Sequence, residues 1–169
     1  MNATRERTSD QTPTLRALII GYGNPLRGDD VLGWRAADTL AAIPEIAADP
    51  SICIETVHQL TPELAELVAS AELVIFIDAT APCTGTAPGA VHCKVIRPGS
   101  PQREALGHHL TPAQLLACAS ALYNAKPQVF VLSVTAESFD YGAPLSPAVQ
   151  AAIPSLMQWT RARMESSEY

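Results

Sequence analysis

Apolar positions along the chain follow two patterns, short unbroken runs and residues spaced three and four apart. Leu18, Ile19 and Ile20 form a run closed by Gly21, which predicts a strand buried on both faces. Behind it Val31, Leu32, Trp34, Ala37, Leu40 and Ala41 recur at helical spacing and predict one apolar helix face ending near Pro44. Ile52-Cys-Ile-Glu-Thr-Val57 has the β-branched content and length of a second strand. Thr61-Pro62 then reads as an N-cap and first helical residue, with Leu64, Leu67 and Val68 turned inward.

The run Leu73-Val-Ile-Phe-Ile-Asp78 is apolar until its last residue, the mark of a central strand. The loop from Ala79 to Gly89 is rich in Pro, Gly and Thr and too short for a crossover helix. The next strand, Ala90 to Ile96, is therefore expected antiparallel, with His92 and Lys94 alternating against Val91, Cys93 and Val95 as on an edge. A second Thr-Pro start at Thr111-Pro112 opens a helix expected to bury Leu115, Leu116, Ala119 and Leu122. Gln128 to Val134 is the fifth strand, and Ser146-Pro147 starts the last helix. This alternation predicts an α/β fold, a five-stranded mostly parallel sheet with one antiparallel edge strand and helices on both faces.

Composition narrows the picture. The chain has 169 residues, enough for one domain with a sizeable core. We place that domain at 14–162, between a polar, disordered tail at 1–13 and a frayed end at 163–169. A net charge of -6 with scattered basic residues argues against nucleic acid or an anionic membrane as partner. Cys53, Cys83, Cys93 and Cys118 show no Cys-x-x-Cys spacing, and no run approaches the length of a membrane span, so a reduced, cytoplasmic protein is expected.

Candidate chemistry gathers after three elements. The first strand runs into Gly21-Tyr-Gly-Asn-Pro-Leu-Arg-Gly-Asp-Asp30, where either aspartate is placed to accept hydrogen bonds from the first free helical amides. Asp29 reads as the plainer cap. Asp78 ends an apolar strand, at the rim outside the carboxyl ends of the strands where α/β proteins bind ligands. His108 precedes a helix. Two carboxylates and an imidazole form a three-ligand site for a borderline divalent ion, with positions left open for water or substrate. Each residue also has a structural explanation, as a helix cap, a loop anchor or a first-turn contact, so the argument rests on all three together. Gly28 comes two positions too late for G-x-G-x-x-G, no acid closes the second strand, and Gly-Lys-Ser/Thr is missing. Cys83 has no histidine at a spacing that would activate it.

With these motifs the chain resembles the nickel-iron hydrogenase maturation proteases over roughly Leu15 to Leu156. The glycine-rich stretch through Asp30, the strand ending in Asp78-Ala79, the histidine before the third helix, and Glu137-Ser138 followed by Leu145-Ser146-Pro147 come in the family's order. Many relatives have glycine where this chain has Val31. The resemblance implies a three-layer α/β sandwich and metal contacts at Asp30, Asp78 and His108, with His109 adjacent. Asn24, His58, His109 and Glu137 are the expected substrate contacts.

It further implies an endopeptidase that removes the C-terminal extension of a hydrogenase large-subunit precursor once nickel is inserted. The nickel then arrives with the precursor, and zinc or cadmium would suit the same donors. The stretch from Val57 to Glu66 and that from Phe139 to Pro147 most resemble proteases serving soluble, NAD-linked bidirectional hydrogenases. A monomer is expected. The rival enzymatic route is an Asp30–Asp78 dyad sharing one proton. The non-enzymatic rival is a metal-sensing chaperone that binds the precursor without cutting it.

Overall fold

The computed structural model describes residues 14–82, 84–97 and 110–166. Five strands form one sheet: β1 (Leu15–Tyr22), β2 (Ile52–Val57), β3 (Ala71–Thr80), β4 (Val91–Ile96) and β5 (Gln128–Thr135). Their order is β2-β1-β3-β5-β4, parallel except for β4, which runs antiparallel to β5 at the edge. The apolar runs occupy the centre, where a strand covered on both sides excludes water from every side chain. Leu18, Ile19, Ile20, Leu73, Val74, Ile75, Phe76 and Ile77 have no exposed surface, and each large one stabilises the fold by about 2 kcal/mol.

Alternation along the strands divides the core in two. One face carries Ile19, Ile75, Ile77 and Leu132 against α1 (Leu32–Ala41) and α5 (Pro147–Glu165). The other carries Leu18, Ile20, Val74 and Phe76 against α3 (Leu64–Ala69) and α4 (Pro112–Tyr123). This is the expected three-layer arrangement. Pro44 does more than stop α1, because it opens a separate short helix, α2 (Pro44–Ala47).

Several local expectations need correction. Thr61 does not cap α3, whose N-cap is Glu63 with no side-chain bond; the Thr61 hydroxyl bonds Glu63 and lowers the pKa of that carboxyl. Thr111 and Ser146 do cap their helices, Thr111 in a reciprocal box with Gln114. Leu122 is 70% exposed, and Tyr123 packs on the core in its place. At the chain's end α5 continues through Glu165 and buries Met164, past the start of the expected frayed end at Arg163. Two contacts hold it there: the Arg163 guanidinium lies 4.4 Å over the Phe130 ring, and Arg16 donates to the Met164 carbonyl at 2.6 Å.

Candidate active site

The carboxyl ends of β1 and β3 build the site. β1 leads through Gly23 into a 3-10 turn, Gly28–Val31, that continues as α1. Gly33 lets that helix sit directly on the strands, since an added Cβ would lie 2.5 Å from the Tyr22 nitrogen and 2.6 Å from the Ile77 carbonyl oxygen. Gly23 has φ +137, a conformation side chains resist, which turns the chain back toward Asp30.

The result is a cleft of about 500 Å³ lined by residues that include Asn24, Arg27, Asp30, His58 and Asp78. Asp30 does not cap its own helix. Its Oδ2 accepts the Asn24 N–H at 2.7 Å. Asp78 lies two residues before the end of β3, and its Oδ1 accepts the N–H of Ala79 at 2.7 Å. The Tyr22 hydroxyl also bonds Asp78. Burial, then the nearby charge of Asp30, push the Asp78 carboxyl up to about 7, against the two hydrogen bonds that lower it. A carboxyl with this value carries a proton about half the time at neutral pH and gains from any cation placed between it and Asp30.

Asp29 takes no part in this cleft. It is buried, and its carboxylate accepts from the backbone N–H groups of Glu137, Ser138 and Ser146 and from the Ser146 hydroxyl, at 2.7 to 3.2 Å. Burial works to raise its pKa, but these bonds prevail and hold it below the ordinary value. The side chain that read as a plain helix cap thus clamps the β5–α5 loop onto the first loop. An antiparallel bridge between Arg27 and Tyr141 and the Arg27 bond to the Phe139 carbonyl join the same two loops.

Of the other expected contacts, Asn24 and His58 line the cleft. The His58 ring stands edge-on to Trp34 at 5.3 Å, and Trp34 donates its indole N–H to the Gly23 carbonyl. Trp34 read as part of a core face, yet it braces the turn of the site. Glu137 is exposed outside the cleft, with its N–H on Asp29. His108, His109 and Cys83 lie outside the described residues. Leu110, directly after His109, does line the cleft. Among the described residues, no three His, Cys, Asp or Glu side chains gather into a metal site. Two hard carboxylate donors still fit one edge of a divalent ion's coordination shell.

Tyr22 was not singled out from the sequence. Its signal was present in the pattern: a hydroxyl-bearing residue directly after the run Leu18-Ile19-Ile20-Gly21, on the strand adjacent to the one that ends near Asp78.

A five-stranded sheet of this order, mostly parallel with one antiparallel edge, is the fold of solved nickel-iron hydrogenase maturation proteases. The hydrogenase maturating endopeptidase HybD from E. coli superposes with a TM-score of 0.70 at 24% identity, over 91% of this chain and 94% of that one. The nickel-iron hydrogenase maturation protease HycI from Thermococcus kodakarensis gives 0.68 at 20% identity, over 89% and 93%. The hydrogenase 2 maturation peptidase from Thaumarchaeota archaeon SCGC_AB-539-E09 gives 0.65 at 20% identity, over 89% and 98%. At these identities the likeness is one of fold. No family model and no curated protein matches the sequence. Among the described residues, no helix is long and apolar enough to cross a membrane.

Proposed function

We propose that this protein is an endopeptidase that removes the C-terminal extension of a nickel-loaded hydrogenase large-subunit precursor. The observation that supports it most is the pairing of Asp30 and Asp78 in one open cleft, with Asp78 raised to about 7 by burial and by Asp30. Two carboxylates that disfavour each other's charge form a site that prefers to be filled by a cation. In this reading the cation is the nickel of the precursor, so it belongs to the substrate. The sequence resemblance and the shared fold support this choice of reaction.

The chain's own residues bind and orient. Asp30, tied to Asn24, and Asp78, tied to Ala79 and Tyr22, present their remaining lone pairs to the metal, and His108 is the proposed third donor. Held there, nickel would supply a Lewis acid next to the scissile peptide bond. Asn24, His58 and His109 contact the extended segment around the scissile bond, and exposed Glu137 is the outlying contact. The proposed protein is a cytoplasmic monomer serving a soluble, NAD-linked hydrogenase.

The same pKa supports a second reading, in which Asp30 and Asp78 share a proton and act as a dyad without metal. Incubation with nickel-loaded and nickel-free precursor, followed by mass, separates the alternatives. Loss of the C-terminal peptide from loaded precursor alone supports the proposal. Cleavage of both forms with an acid optimum favours the dyad. A stable complex without cleavage makes the protein a metal-sensing chaperone.

A further inference from the structure

We propose that Tyr22 is a positioning residue, whose hydroxyl holds Asp78 in the orientation in which its carboxylate meets the precursor's nickel. The inference rests on the function proposed above and adds to it the residue that orients one of the two acids.

Tyr22 lies one residue beyond the Gly21–Ile77 pair of β1 and β3, which brings it alongside Asp78. Alternation along both strands sends the two side chains to the α3/α4 face, where Leu18, Ile20, Val74 and Phe76 lie before them. On such a face a hydroxyl without a partner would be desolvated and left unsatisfied. Asp78 is the partner.

The ring is fixed from the other side, since it stands edge-on to Phe76 with centroids 6.3 Å apart and planes at 84°. A phenol has one proton to give, and with the ring anchored its oxygen stays beside Asp78. Ala79 restrains Oδ1 of Asp78 at 2.7 Å. Two donors from two strands therefore set the carboxylate's rotation, while enough lone pairs stay free for a cation. Asp30 is held instead by the Asn24 backbone amide.

The test is Tyr22→Phe in the full chain, which keeps the ring on Phe76 and deletes one oxygen. In the metal-free protein, carbon-13 NMR of the Asp78 carboxyl should show its midpoint moving up by about one unit, as expected for loss of a charge-assisted hydrogen bond. With nickel-loaded precursor, kcat should fall about tenfold while KM holds, because orientation is lost and binding surface is not. An unchanged Asp78 midpoint, or an unchanged kcat, overturns the proposal. If the wild-type protein leaves the precursor intact, the functional reading fails instead; the midpoint is read without precursor and still judges the contact between Tyr22 and Asp78.

Discussion

Asp30 and Asp78 each accept one backbone N–H bond of 2.7 Å, from Asn24 and Ala79, and the charge of Asp30 adds to burial in raising the Asp78 carboxyl to about 7. The two residues are 48 positions apart in sequence (78 − 30) and come together because β1 and β3 are neighbours. Between about pH 4 and pH 7 the folded protein holds a proton on Asp78 that the unfolded chain has released. Stability therefore falls as pH rises through this window and levels off above the folded midpoint.

Asp78→Asn keeps the shape of the site and removes the charge. It should raise the melting temperature at pH 8, leave it nearly unchanged at pH 4, and abolish processing. Thermal unfolding at the two pH values, beside a cleavage assay, checks this. A variant that loses stability at pH 8 would show that Asp78 is a structural anchor.

Asp29→Ala should destabilise by about 2–4 kcal/mol, since it leaves three backbone N–H groups and the Ser146 hydroxyl without their acceptor. The wild-type carboxyl is held below its ordinary value, so its contribution is complete above about pH 4 and is lost as pH falls through the folded pKa. Urea unfolding at pH 7 and pH 3 should show the wild-type protein losing its advantage over the variant in acid. An unchanged urea midpoint at pH 7 would contradict the clamp.

Gly33→Ala should cost at least ~2 kcal/mol, because the new Cβ meets the Tyr22 and Ile77 backbones, which cannot swing aside as side chains do. The loss is read as a lower urea midpoint. Because α1 would lift from both strands, the cleft should open and processing fall with stability.

His108→Ala should abolish processing, and His109→Ala should only weaken it. Cleavage rates of the two variants on one precursor preparation decide which imidazole is the third donor. Full activity of both variants would remove histidine from the proposed site.

Much of this was legible in the sequence because a strand buried on both faces must be apolar throughout. The run from Leu73 to Ile77 announced the centre of the sheet, and the short loop after it announced the antiparallel edge. Asp78 stood out as the acid closing such a run, and Asp30 as the acid at the mouth of the helix that follows the glycine-rich loop. The role of Asp29 was hidden because its partners lie 108 to 117 residues away, and nothing local distinguishes a clamp from a cap. Trp34 was misread for a related reason: helical spacing identifies an apolar face, but not a ring whose N–H is spoken for by the Gly23 carbonyl. At Thr61 the local signal was sound, yet the hydroxyl turned to Glu63 and the helix began later.

The central claim is that the paired acids read the nickel of the precursor. The most direct measurement is the mass of nickel-loaded and nickel-free precursor after incubation with the wild-type protein and with Asp78→Asn. The account predicts loss of the C-terminal peptide only from loaded precursor treated with wild-type protein. Equal cleavage of the metal-free precursor, or wild-type cleavage by Asp78→Asn, would contradict it.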